Sequence, residues 1–240
     1  LERVERRFAP QDAEGLVAWA VAEFGADLRV ACSGSVEDCL LVHVVAQIAR
    51  ADAKPRVVVL DTGRLHEETY RVIDKLRQRY SLAVDVYAPR AELLEPVVRA
   101  KGLLSFYNST ADRQECCAVR KVEPLSRALG DARAWMTCLR RTQSMTRRLL
   151  ARIEKDAPNR VKINPLAHWQ DEWLWQRARE LDVIVHPLHQ KGFPSIGCAP
   201  CTRPVGVGQD PRAGRWWWES AEHKECGIHE RDASFTTVRP

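Results

Sequence analysis

Long apolar runs and a strong excess of one charge are what this sequence lacks. No apolar run approaches the roughly 18 residues that a membrane-spanning helix needs, and we see no charged-then-apolar leader, so we expect a cytoplasmic protein. Lysine and arginine number 37 against 32 aspartate and glutamate residues, which gives a net charge of +5. That excess suits an anionic ligand but is too small to argue for DNA binding by itself.

Cysteine is also too sparse for a disulfide scaffold, with 8 residues in a chain of 240. Four of the cysteines nevertheless form two tight pairs, Cys116-Cys117 and Cys198-x-x-Cys201. In a cytosolic chain, such pairing indicates metal or redox chemistry. The length and the hydrophobic content of 45% are typical of one large domain, or of one domain with an appended arm.

Short apolar runs alternate with helical patterns along most of the chain. The candidate strands are residues 28–32, 56–60, 82–87, 133–138 and 161–163, and the main candidate helices are residues 37–51, 92–100, 117–129 and 171–180. This alternation predicts βαβ units and an α/β fold with a parallel twisted sheet. After residue 188, glycine and proline break the periodicity. We therefore predict an α/β nucleotide-binding domain over residues 1–190 and an irregular C-terminal arm over residues 191–240.

The loop formed by residues 33–38, here named the Ser-Gly loop, joins the first predicted strand to a helix. Its glycine and serines would let backbone N–H groups and hydroxyls face an anion at the helix N-terminus. The alternative is an ordinary turn, in which Glu37 and Asp38 only favour the start of the helix. The loop is not a Walker A loop, because no Gly-Lys-Ser/Thr follows.

Four thiolates in two close pairs suit a tetrahedral zinc ion or an iron–sulfur cluster. A zinc site usually spaces both pairs by about two to four residues, so a directly adjacent pair is atypical. Buried free thiols or a vicinal disulfide form a third interpretation. Arg120 and Lys121 follow Cys116 and Cys117 by four residues and share their helix faces, where positive charge would balance the thiolates and could bridge them to an anionic substrate.

Two basic stretches are candidates for anion binding. Residues 140–148 follow the fourth predicted strand and form either a solvated helix face or an arginine clamp on phosphate or sulfate. Arg212 and Arg215 precede three consecutive tryptophans, residues 216–218. Those tryptophans are better suited to anchoring an arm than to binding nucleic acid, although arginine beside aromatic rings keeps the second interpretation open.

Cys226 lies outside both cysteine pairs, beside His223, Lys224 and His229. This setting makes it a candidate for a lowered pKa and a nucleophilic role, on a carrier made mobile by the adjacent glycine. The remaining cysteines, in apolar patterns, are interpreted as core residues: Cys32, Cys39 and Cys138.

Seven segments together match one family. They are SGSVED (33–38), LDTGRLHEETY (60–70), ECCAVRKVEPL (115–125), RRTQS (140–144), IGCAPCTRPV (196–205), GRWWWE (214–219) and KECGIHE (224–230). In these segments the sequence closely resembles the assimilatory adenylyl-sulfate (APS) reductases, the iron–sulfur branch of the APS/PAPS reductases. The resemblance extends over roughly residues 31–230 and implies a sheet of the adenine-nucleotide α-hydrolase-like (PP-loop) type.

The resemblance also implies a cofactor, a reaction and a set of site residues. It assigns a [4Fe–4S] cluster to Cys116, Cys117, Cys198 and Cys201 and the catalytic thiol to Cys226. The substrate-binding residues that it implies are Ser33, Gly34, Ser35, Leu60, Gly63, Lys121, Arg141, Arg147, Arg212, Arg215 and His229. The implied reaction is the thioredoxin-dependent reduction of APS to sulfite and AMP through an S-sulfocysteine, in sulfate assimilation.

Further expectations concern binding partners and the positions where this sequence differs from the family pattern. The resemblance implies a thioredoxin or glutaredoxin-like donor, and we expect a homo-oligomer that binds no nucleic acid and no membrane. Cys138 and Leu139 stand where relatives usually show Gly-Gln beside the nucleotide, and either Arg147 or Arg148 would contact the substrate.

Three alternatives stay open: a PAPS reductase, a PP-loop adenylyl- or thio-transferase, and a zinc-bound nucleic-acid module. The transferase interpretation requires a lysine-bearing loop that this sequence lacks. The zinc-module interpretation leaves the Ser-Gly loop unexplained.

Overall fold

The computed structural model describes residues 2–220 and Ile228. In this part of the chain one sheet contains β1 (Leu28–Ala31), β2 (Arg56–Leu60), β3 (Val84–Tyr87), β4 (Ala134–Met136), β5 (Ile153–Ala157) and β6 (Arg160–Ile163). The strand order is β3-β2-β1-β4-β6-β5. All neighbours are parallel except β5, which pairs antiparallel with β6. The predicted α/β fold with a mainly parallel sheet is confirmed, and the antiparallel edge strand β5 is an addition that the sequence patterns did not show.

Helices surround this sheet. The α-helices in the described residues are α1 (Glu2–Glu5), α2 (Ala13–Phe24), α3 (Val36–Ile48), α4 (Glu67–Arg79), α5 (Ala91–Lys101), α6 (Thr110–Cys117), α7 (Glu123–Leu129), α8 (Asp171–Glu180) and α9 (Pro187–Gln190). The prediction of a single helix that begins at residue 117 and runs to residue 129 is wrong. The structure has α6, capped by Ser109 and ending at Cys117, then a π-helix (Ala118–Val122), then α7.

The central strands are buried because both faces of the sheet are covered. Val57, Val58 and Val59 are consecutive in β2 and all lie in the core, as expected for a strand with helices on both sides. Helix α3 is also deeply buried, and its N-terminus carries a capping box between Ser35 and Asp38. These elements fix where the loops at the carboxyl ends of β1, β2 and β4 emerge.

The described part of the predicted arm, residues 191–220, is irregular and contains a short 3₁₀-helix (Ala199–Cys201). Isolated bridges join Leu65 to Cys198 and Thr202 to Arg215, so this segment packs against the loop that follows β2 and against itself. None of the helices in the described residues combines the length and the apolar character needed to cross a membrane.

Candidate active site

A cavity of about 280 Å³ opens beyond the carboxyl ends of β1, β2 and β4. This is the edge of a parallel sheet where ligands bind in α/β folds. Its wall includes side chains from the Ser-Gly loop, from the loops after β2 and β4, and from the irregular segment after α9. The loops that the sequence singled out therefore meet in one place.

The Ser-Gly loop is closed around its own carboxylate. The backbone N–H and the hydroxyl of Ser33 donate to Oδ2 of Asp38 at 2.8 and 2.6 Å, and the N–H of Ser35 donates to the same atom at 3.2 Å. Gly34 makes this turn with a φ of 85°, which favours glycine. The backbone donors expected to face an anion thus face Asp38, which favours the turn interpretation for the backbone, while Ser33 and Ser35 still line the cavity.

Asp38 has a further donor in Cys138, whose Sγ hydrogen-bonds to Oδ1. Burial raises the pKa of Asp38, although these hydrogen bonds act in the opposite direction. Cys138 is half-buried and packs against the hydrophobic core, as expected, and it also lines the cavity. Cys32 and Cys39 are buried, as expected.

The next acidic residue of the loop is held by a buried arginine. Nη2 of Arg140 lies 2.9 Å from Oε1 of Glu37, and Nε2 of Gln143 donates to the same oxygen at 3.0 Å. Burial alone would raise the pKa of Glu37, but the Arg140 guanidinium brings it below its ordinary value. Arg140 also pairs with Asp171 at 2.6 Å. Arg140 is therefore held by two carboxylates that line the cavity.

Besides Arg140, four basic side chains line the cavity and are here named the basic wall: Lys121, Arg147, Arg212 and Arg215. Arg215 is buried and donates to the Ser195 hydroxyl at 3.2 Å, which fixes its guanidinium beside the segment that leads to Cys198. The cavity wall thus contains the carboxyl groups of Glu37 and Asp38, here named the acidic side, and the basic wall, whose cations suit the anionic end of a ligand.

The structure does not bring every predicted binding residue to this cavity. Leu60 lines it, whereas Gly34 and Gly63, both with positive φ, are not among its lining residues. Arg141 is exposed and donates through Nε to the carbonyl of Leu150 at 2.8 Å, away from the cavity. Arg148 is exposed as well, so the structure favours Arg147 at this position.

The four paired cysteines converge in a second, smaller cavity, here named the cysteine site, beside the main one. Cys116 and Cys117 end α6, and Cys198 and Cys201 flank the turn of the 3₁₀-helix. Their side chains share a buried cluster with Phe106 and Trp216. In the described residues, no three His, Cys, Asp or Glu side chains form a group that could hold a single metal ion.

Lys121 and Cys198 belong to the walls of both cavities. Although burial acts to raise the pKa of Cys198, the Lys121 ammonium brings it below its ordinary value. Thr62, which follows β2, lies with Oγ1 3.2 Å from Cys198 Sγ. Arg120 donates to the Thr62 carbonyl at 2.6 Å. Positive charge and hydrogen bonding therefore join the cysteine site to the loop after β2.

The tryptophan triplet anchors the arm. Trp216 is buried, and the guanidinium groups of Arg113 and Arg215 form cation–π contacts with its ring, at 4.8 and 4.7 Å from the ring centroid. Arg113 also forms a two-point ion pair with Glu219 at 3.0 and 2.8 Å. This agrees with the anchoring interpretation of the triplet.

Cys226 and His229 lie outside the described residues. Ile228, two positions after Cys226, is described, and it is half-buried and lines the main cavity.

Sequence reasoning missed two contributors, Thr62 and His189. Thr62 lies inside one of the segments that match the family, but no sequence pattern marks it as a site residue. The ring of His189, in α9, contacts the Ser-Gly loop across a long separation in the sequence. Only the tertiary structure reveals such contacts.

Solved structures of related fold include the phosphoadenylyl-sulfate (PAPS) reductase of Candida auris in a phosphate complex. It has a TM-score of 0.65 and 24% identity, over 85% of this chain and 93% of that chain. An FMN adenylyltransferase of Candida glabrata gives a TM-score of 0.55 at 16% identity, over 84% of this chain and 70% of that chain. These likenesses show the fold, an α/β architecture with a mostly parallel sheet.

Sequence comparison reaches further. The phosphoadenosine phosphosulfate reductase domain matches residues 27–204. An adenosine 5′-phosphosulfate reductase of Pseudomonas aeruginosa (strain LESB58) is 46% identical over 92% of this chain and 82% of its own length. One from Allochromatium vinosum is 49% identical over 79% of this chain and 75% of its own length. The chain therefore belongs to the phosphoadenosine phosphosulfate reductase family.

Proposed function

We propose that this protein is an APS reductase, which converts adenosine 5′-phosphosulfate to sulfite and AMP in sulfate assimilation in the cytoplasm. The observation that carries the proposal is the shared wall of the two cavities, where Lys121 stands between the cysteine site and a nucleotide-sized cavity. The naming of relatives at 44–49% identity as adenosine 5′-phosphosulfate reductases supports the same substrate.

The substrate would bind with its charged end on the basic wall. A phosphosulfate carries anionic oxygens that guanidinium groups bind in pairs of hydrogen bonds. The acidic side, with Glu37 and Asp38, would disfavour that end and leave the adenosine toward Leu60. The basic wall would also stabilise the negative charge that develops as the sulfur–oxygen bond breaks.

The reaction would proceed in two thiol steps. The Cys226 thiolate attacks the sulfur of APS, a sulfur–sulfur bond forms, and the bond to the phosphate oxygen breaks to release AMP. A thiol of a reduced thioredoxin- or glutaredoxin-like protein then attacks the Cys226 sulfur and sulfite departs. The second thiol of the donor closes a disulfide, so the dithiol supplies both electrons. The position of Ile228 in the cavity wall supports Cys226 as the attacking residue.

The cysteine site suits a [4Fe–4S] cluster by the chemistry of its donors. Cys116, Cys117, Cys198 and Cys201 would hold the cluster, because a four-iron cluster is larger than a single ion and its thiolates stand farther apart. Arg113, Arg120 and Lys121 would balance the negative charge of the thiolates. When bound, the cluster would supply net negative charge, and the Lys121 ammonium would stand between that charge and the substrate anion and attract both. The predicted homo-oligomer stays a prediction.

The decisive experiment is a single-turnover reaction with APS and no thiol donor. Mass spectrometry of the wild-type protein should show one added SO₃ on the peptide that carries Cys226, and reduced thioredoxin should discharge it as sulfite. The Cys226→Ser protein is the matched control and should form no adduct while still binding AMP. Running PAPS in parallel separates the two nucleotide substrates. Sulfate release, or an adduct on Cys138, would contradict the proposal.

A further inference from the structure

His189 connects the Ser-Gly loop to the cavity wall that leads to the cysteine site. The backbone N–H of Val36, the first residue of α3, donates to Nε2 of His189 at 3.2 Å. On the other side of the ring, Nδ1 lies 2.9 Å from the carbonyl oxygen of Phe193. His189 itself lines the main cavity, and the ring of Trp175 packs edge-on against it at 5.4 Å.

These two contacts fix the protonation of the ring. A backbone N–H can only donate and a carbonyl can only accept, so Nε2 is unprotonated and Nδ1 carries the hydrogen. Burial favours the same neutral state, because it lowers the pKa of His189. The neutral ring therefore bridges one obligatory donor and one obligatory acceptor on two separate segments.

The first N–H of a helix is ordinarily the group that an anionic ligand would use. In α3 that group is taken by His189, and the N–H groups of Ser33 and Ser35 are taken by Asp38. Four backbone N–H groups of the Ser-Gly loop, those of residues 33, 35, 36 and 38, are thus bound within the protein, and these contacts set the shape of the loop before any nucleotide arrives.

We propose that His189, in its Nδ1–H form, is a positioning residue for nucleotide binding. It holds the start of α3 at a fixed distance from Phe193, so that Ser33 and Ser35 keep their places in the cavity wall. This inference rests on the proposed function, because it takes the nucleotide to be an adenosine 5′-phosphate compound. Within the described residues, the hydrogen bonds and ring contacts of His189 involve none of the four basic-wall side chains, so we expect its contribution to be to affinity.

Two substitutions separate its two hydrogen bonds. The amide of glutamine reaches the position of Nε2, so His189→Gln keeps an acceptor for Val36. The shorter asparagine reaches the position of Nδ1, so His189→Asn keeps a donor for Phe193 and abandons Val36. Gln190→Ala, at an exposed position of the same helix, is the matched control.

The readouts are the dissociation constant of AMP, measured by titration calorimetry on the full chain, and the separate kcat and KM for APS. His189→Asn should bind AMP about tenfold more weakly and raise KM by a similar factor, as expected for one buried hydrogen bond. His189→Gln should lose less than about threefold, and kcat should change less than about threefold in both variants.

Equal losses in the two variants, or a fall in kcat at unchanged KM, would overturn the positioning role. If the wild type and the three variants all bind AMP with the same affinity, this inference is refuted and the proposed function is not. Failure of the wild-type protein to bind AMP would refute the proposed function and this inference with it.

Discussion

Replacing Arg140 with methionine should destabilise the fold strongly, because it would leave the Glu37 carboxylate buried without its charge partner. The two residues are 5% and 4% exposed and are joined at 2.9 Å. Removing one member of a buried ion pair costs about 3–5 kcal/mol. Gln143 would still donate to Glu37, so we expect a loss near the lower end, about 3 kcal/mol. Methionine keeps most of the apolar stem, so little packing is lost.

The loss should depend on pH in a specific direction. In the wild type the pKa of Glu37 lies below its ordinary value, so the pair stabilises the fold above the unfolded-state pKa of about 4.3 and loses that contribution as the pH falls through the folded-state pKa. In Arg140→Met the guanidinium no longer lowers the pKa of Glu37, and we expect burial, opposed only by the remaining hydrogen bonds, to raise it. The variant should therefore regain stability relative to wild type as the pH falls from about 7 to about 5, because the buried carboxyl takes up a proton.

Urea unfolding followed by far-ultraviolet circular dichroism measures both effects. The double variant Glu37→Gln/Arg140→Met should recover much of the loss, since it buries an amide in place of a charge. Glu67→Gln, which removes a surface ion pair with Arg71, is the control and should cost less than about 1 kcal/mol. The reasoning is refuted if Arg140→Met loses no more than this control, or if its loss is the same at both pH values.

Lys121→Ala should lower turnover of APS by about ten- to hundredfold, the loss expected for one charge-assisted contact, in steady-state assays of sulfite release; unchanged turnover would place the substrate anion elsewhere. Arg215→Ala should mainly raise the dissociation constant of APS, which calorimetry tests directly. Protein purified without oxygen should contain about four irons per chain; Cys117→Ser should lose this iron and Cys39→Ser should keep it, and stoichiometric zinc in the wild type would contradict the cluster.

Features that depend on local pattern could be predicted from the sequence. The run of valines in β2 marks a strand buried on both faces, and the alternation of such runs with helices leads to the parallel sheet. Strand β5 was missed because its residues are mostly charged: Lys155 and Asp156 are exposed, and Glu154 is half-buried and pairs with Lys162 of β6 at 3.0 Å. An edge strand of this composition carries no hydrophobic alternation to detect.

The contacts that shape the site come from residues far apart in the chain, and sequence patterns do not record them. The Ser-Gly loop reads as an anion-binding loop because its residue types allow that role. Whether its backbone N–H groups remain available to an anion depends on the direction of the Asp38 side chain. It also depends on Cys138 and His189, which lie about a hundred residues or more from the loop in the sequence. Long-range hydrogen bonds of this kind are settled only by the packing of the whole domain.

The π-helix Ala118–Val122 explains how one short segment serves two sites. In a regular α-helix the residues after Cys116 and Cys117 would continue along the same faces, as the four-residue spacing predicted. The wider π-turn adds a residue to the turn and changes those directions. Arg120 is buried against the Thr62 carbonyl, whereas Lys121 lies in the walls of both cavities. Rebuilding this turn as a plain α-helix, by deleting one residue, would therefore separate the Lys121 ammonium from one of the two cavities.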